Sequence, residues 1–148
     1  MSEEFRFKTL KRVRELREKE QQREFGKKQQ KVQAIVERID GIESKKHDAI
    51  DLADRERREL FDLQNDFLIQ RYLQSLHRNK AYATVELAEA DRQLEEQRQV
   101  MLKAMQERKM MDKLYEKHKE ESRLEELRED TKRLSEIAVL RHGRDKQL

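Results

Sequence analysis

The chain has 148 residues, 45% of them charged and 34% hydrophobic, with no Pro, no Cys and three Gly. That balance excludes an ordinary compact core, a disulfide framework and a thiolate metal site. Regularly spaced apolar residues on a background of Glu, Lys, Arg, Gln, Leu and Ala predict extended helices rather than disorder.

The first segment, through Leu16, sets Phe5, Phe7, Leu10, Val13 and Leu16 among cations. It lacks the uninterrupted apolar stretch of a signal peptide, and no later segment approaches the roughly 20 apolar residues of a membrane span. With the absence of Cys, these features lead us to expect a complete, cytoplasmic chain. Through Lys31 there are 11 Lys/Arg against 6 Asp/Glu. From Arg17 to Lys31 the only large apolar residue is Phe25.

Spacing then becomes regular. From Val32 to Phe67 a three-four repeat places apolar residues at nine of eleven seam positions, including Ile35, Ile39, Ile42, Ala49, Ala53 and Leu63. A second seam runs from Leu73 to Tyr115, through Leu76, Ala83, Ala90, Met101 and Ala104, with ten of thirteen positions apolar. Sustained three-four spacing is the condition for a coiled coil. Between the seams, Asp62-Leu63-Gln64-Asn65-Asp66 is the best candidate for a reversal, because Asp and Asn cap helices and favour turns. The expected fold is all-α, a long antiparallel two-helix coiled-coil hairpin, forming a single domain with helices over about 5–61 and 67–141 and a bend over about 62–66. One unbroken helix in a dimer satisfies the same spacing. In the hairpin, position i lies opposite about 128 − i, so Leu10 is expected near His118. Residues beyond about 123 overrun the first helix while keeping an apolar stripe of Leu124, Leu127, Leu134 and Ala138, with Thr131 as its polar member. From Lys132 onward there are 5 Lys/Arg against 2 Asp/Glu, so both ends of the chain are basic.

No catalytic constellation, cofactor motif or metal-ligand spacing appears. His47, His77, His118 and His142 read as seam or surface histidines, and Glu120-Glu121 and Glu125-Glu126 as solvated helix faces. Nucleic-acid binding through Lys11, Arg12, Arg14, Arg17 and Lys19 is disfavoured by the interleaved Glu15, Glu18 and Glu20. The apolar residues beside those cations suit either a membrane surface or a protein groove. The cluster from Leu60 through Phe61, Phe67, Leu68, Ile69 and Tyr72 to Leu76 reads as a packed cap at the bend or as an exposed patch that recruits a partner.

The opening Phe5-Arg6-Phe7-Lys8, followed by Leu10, Val13, Leu16 and Arg17, resembles the N-terminus of the flagellar export protein FliJ family. Lys132-Arg133-Leu134-Ser135-Glu136-Ile137-Ala138, closing with Arg141, resembles that family's C-terminal motif, with Ser135 in place of an Asp. The resemblance implies a non-enzymatic stalk similar to the gamma subunit of rotary ATPases. Its pole bearing both termini would enter the hexameric ring of the flagellar type III export ATPase and promote ring assembly and activity. Its implied further partners are the cytoplasmic domain of the membrane export gate and the export chaperones, with no nucleic acid and no direct membrane insertion. Its implied location is cytoplasmic, peripheral at the inner membrane through the export apparatus. Candidate ring contacts are Phe5, Phe7, Leu10, Arg14, Leu127, Leu134 and Arg141. For the gate, Tyr72 and Leu76 fit the first two positions of the family stripe, whereas Asn79 and Ala83 depart from it. Injectisome stalks are built alike, and a plain structural tether or dimer is the competing class.

Burying a Leu or Ile stabilises by about 1.5 to 3 kcal/mol, so the stretch that lacks them contributes little. Residues 1–31 are expected to fray in the isolated protein. Native-state hydrogen exchange should show them less protected than residues 32–60, and equal protection would contradict this.

Overall fold

The computed structural model describes the backbone of residues 2–147 and the side chains of residues 6–146. The chain folds as a helical hairpin. Helix α1 spans Ser2–Glu59 and α2 spans Leu63–Gln147, with no strand among the described residues. None of these helices is apolar enough over sufficient length to cross a membrane.

The reversal occupies residues 60–62, earlier than the expected 62–66, and Asp62 at its end caps α2. Its carboxylate accepts a hydrogen bond from the Gln64 amide at 3.0 Å, and its carbonyl accepts the Asp66 amide at 3.0 Å. These bonds satisfy amides that the first helical turn leaves without partners. Asn65 and Asp66 therefore belong to the opening turn of α2, where a negative charge suits the positive end of the helix dipole. Arg57 at the end of α1 donates to the same Asp66 carboxylate at 3.1 and 3.2 Å, joining the two sides of the turn.

The packing falls into two units, Lys19–Leu102 and Met1–Glu18 with Lys103–Leu148. In the first, buried Ile35, Ala49 and Ala53 of α1 and Leu76, Ala83 and Ala90 of α2 make the core. All are predicted seam positions. Ion pairs flank it, Arg38 with Glu86 and Lys80 with Glu43. The seam does not continue into the turn: Leu60, Leu63 and Phe67 are 82%, 72% and 60% exposed. They lie at or beside the reversal, where the two helices end.

In the second unit, Ala104 and Tyr115 are buried, together with the carboxylate-bearing Glu18. Arg108 reaches from α2 to Glu18 on α1 and also donates to Asp112 at 2.7 Å. Bonds to Asp112 and then Glu18 raise the Arg108 pKa above its usual value. Arg14 donates to Glu107 at 2.7 Å, and Arg17 approaches the same oxygen at 3.8 Å.

Register follows from these pairs. Phe7 stacks on His118 with ring centroids 4.8 Å apart, and the Lys11 ammonium lies 4.7 Å from the Tyr115 ring centre. His118 therefore meets Phe7 rather than the expected Leu10, a shift of nearly one turn.

Two arginine variants test the polar layer. Arg108→Ala removes the cation from a buried carboxylate, so it should lower the thermal midpoint clearly. Arg92→Ala, which loses only exposed pairs to Glu89 and Glu96 within one helix, should lower it much less. Equal midpoints would show that the Glu18 layer is dispensable.

Candidate functional site

Phe7 and Lys11 mark where α1 runs alongside α2. An antiparallel neighbour starting at Ser2 ends level with about residue 123. From Arg123 to Lys146 every residue of α2 is exposed. Leu127 is 48% exposed and Leu134 67%, beside Ile137, Val139 and Leu140.

The disposition of these side chains is informative. At 100° per residue, Leu124 lies nine residues and half a revolution from Tyr115, so the overhang stripe leaves the line of the seam. Further on, Ile137-Ala138-Val139-Leu140 is four consecutive apolar residues and covers the whole circumference of the helix. A helix apolar on every side is suited to enclosure rather than to one neighbour. Sequence reasoning selected Leu127 and Leu134 but passed over Ile137, Val139 and Leu140, because a search for one stripe discards residues that fall outside it.

At the N-terminal end, Phe7 is half-buried against His118, and Arg14 is held by Glu107. Leu10 is 44% exposed, on the flank of the seam. Phe5 lies in α1, and its side chain falls outside the described residues. Arg141 is exposed on the overhang. The fold thus splits the expected contacts into two kinds: Phe7 and Arg14 are engaged by α2, whereas Leu10, Leu127, Leu134 and Arg141 face outward.

The second expected surface changes in composition. Tyr72 is about half-exposed, but Leu76 is 4% exposed and sits in the seam. Leu76 cannot touch a partner while α1 covers it. Tyr72 instead shares a groove of about 380 Å³ with Leu52, Leu68, Ile69, Ala49, Asp48 and Lys45. A signal was present in the sequence, since Leu76 already belonged to the three-four repeat and Tyr72 did not. Among the described residues no cluster of side chains suits a metal ion.

The family model described as flagellar FliJ protein matches residues 2–147. Neither a curated protein nor a solved structure matches the chain.

Burial separates the roles of Tyr72 and Leu76. Leu76→Ala should cost about 2 to 3 kcal/mol, near the low end for a core leucine because the seam is only two helices deep. Tyr72→Ala should change stability by less than about 1 kcal/mol. Urea unfolding followed by circular dichroism distinguishes them, and the reverse ranking would mean that Leu76 is outside the core.

Proposed function

The chain belongs to the flagellar FliJ family, and from that premise we propose that it is a non-enzymatic stalk of the flagellar type III export apparatus. In this reading the overhang of α2 enters the central opening of the export ATPase hexamer, promoting assembly and hydrolysis. The observation that carries the proposal is the apolar circumference of Ile137-Ala138-Val139-Leu140 on a helix segment with no α1 beside it. Leaving those residues in water forgoes burial worth about 25 cal/mol per Å² of apolar surface. A ring encloses such a segment from all directions, whereas a single partner helix covers one side.

Leu127, Leu134 and Arg141 are the proposed overhang contacts, with Phe5, Phe7, Leu10 and Arg14 contributing from the start of α1. Phe7 and Arg14 act chiefly by holding α1 against α2. For the export gate, we assign docking to the groove around Tyr72, Leu52 and Leu68, and Leu76 belongs to the seam instead. Export chaperones are a third class of partner in this reading, and the location is cytoplasmic, at the inner membrane through the apparatus. The reading makes the protein an activator of another enzyme's chemistry.

Replacing Leu127 and Leu134 together by Asp should abolish stimulation of the cognate ATPase while leaving helicity nearly unchanged, because both side chains are exposed. Hydrolysis by the purified ATPase with and without the variant measures this directly. Full stimulation by a folded variant would rule out insertion of the overhang. Separately, Tyr72→Ala should weaken capture of the gate's cytoplasmic domain, and undiminished capture would remove the groove from the assignment.

A further inference from the structure

One flank of the unit formed by the chain ends leaves large apolar residues exposed. Residues one position before the seam lie on a common flank of both helices, as the approach of Arg17 to Glu107 demonstrates. In α1 this flank carries Leu10 and Val13, 44% and 47% exposed. In α2 it carries Met110, Leu114, Lys117, Glu121 and Leu124, spaced four, three, four and three. Met110, Leu114 and Leu124 are 64%, 49% and 41% exposed.

That α2 stripe is self-complementary. Read against its own reverse about position 119, Leu114 meets Leu124 and Lys117 meets Glu121, each pair occurring twice. Alternating three-four spacing places these partners in the same layers of an antiparallel coiled coil. A two-fold contact requires this property, since residue i must meet j while j meets i.

Charge selects the same arrangement. Residues 120–130 carry six acids against two arginines, whereas residues 108–119 carry five Lys/Arg against two acids and residues 6–18 carry six against two. Antiparallel pairing lays the acidic start of each overhang along the basic segments of the other copy. Leu124 and the following turns then pack beside Leu10, Val13 and Leu114, becoming the neighbour that the overhang lacks in its own chain. Parallel pairing would instead put acid against acid.

We propose that a second copy of this chain occupies this face, forming an antiparallel dimer of hairpins about the Lys117–Glu121 layer. The inference goes beyond the stalk reading and does not rest on it. Its consequence for that reading is competition: the dimer covers Leu124 and the adjoining part of the overhang, so the paired form is a reserve unable to enter a ring.

Sedimentation velocity of the full chain over a concentration series tests the pairing, using the wild type, Lys117→Glu, Glu121→Lys and the double exchange. Lys117 and Glu121 are exposed, so circular dichroism should show all four folded. The expected result is reversible dimerisation of the wild type, weakened by about tenfold or more in each single variant, a loss of about 1.4 kcal/mol or more. The double exchange, which rebuilds both ion pairs, should return the affinity to near the wild-type value. The single variants alter net charge in opposite directions, so matching losses point to the pair and not to general repulsion. A wild type that stays monomeric to its solubility limit, a dimer indifferent to the single changes, or a double exchange no stronger than either single variant would overturn the proposal. ATPase stimulation does not enter this measurement, so its result is independent of the stalk reading.

Discussion

Everything in this protein depends on the narrowness of the contact between two helices. A two-helix seam covers about two positions per heptad, leaving the other five in contact with solvent or with a partner. Here many of the buried residues are small: Ala49, Ala53, Ala83, Ala90 and Ala104 are all at most 7% exposed. Alanine lets helices approach closely but removes little apolar surface from water, so the hairpin is held by many modest layers. Many of the large apolar residues therefore lie outside the seam. Leu60, Leu134, Val139 and Tyr82 are each more than two-thirds exposed or nearly so, in a chain with no second layer to cover them. A chain built in this way keeps its binding capacity on its outer faces.

Polar layers supply what alanines cannot, namely a preference for one register. Arg108 joined to Glu18 and Asp112 is satisfied only when α1 and α2 are aligned at that level. In the other unit, Gln97 donates to the Gln21 side chain at 2.7 Å and constrains its own layer likewise. Such groups are costly if left without partners, so a slip of one turn is penalised more than loss of alanine contacts alone would imply. The low-apolar stretch between Arg17 and Lys31 is thus weak in burial yet specific in alignment. Helix α1 runs through it without a break.

The seam was legible in the sequence because periodicity is a property of many residues at once. From Val32 to Glu56 and from Leu73 to Tyr115 the three-four repeat identified residues that are buried or half-buried. The reversal was less legible, since Asp62, Asn65 and Asp66 all carry turn and capping preferences, and only the hydrogen bonds of Asp62 identify the residue that caps. For Leu76, likeness to a family stripe and membership of the seam pointed to opposite roles, and burial decides for the seam. The apolar circumference at Ile137–Leu140 and the flank formed by Leu10, Val13, Met110 and Leu114 escaped a search organised around a single stripe.

These omissions share a physical origin. A seam is identified by asking which residues meet the other helix, whereas partner surfaces consist of residues that do not. Position relative to the seam then separates the surfaces from one another. Residues one step before it, such as Leu114 and Leu10, form a flank supported by both helices and suit an added helix. Residues around the whole of a lone helix, such as Ile137 and Leu140, suit an enclosing cavity. The Tyr72 groove is a third kind, a shallow depression backed by Ala49 and Ile69. As proposed, a single hairpin would address a helix, a cavity and a surface side chain without enlarging its core, each demand being met by a different azimuth around the same two helices.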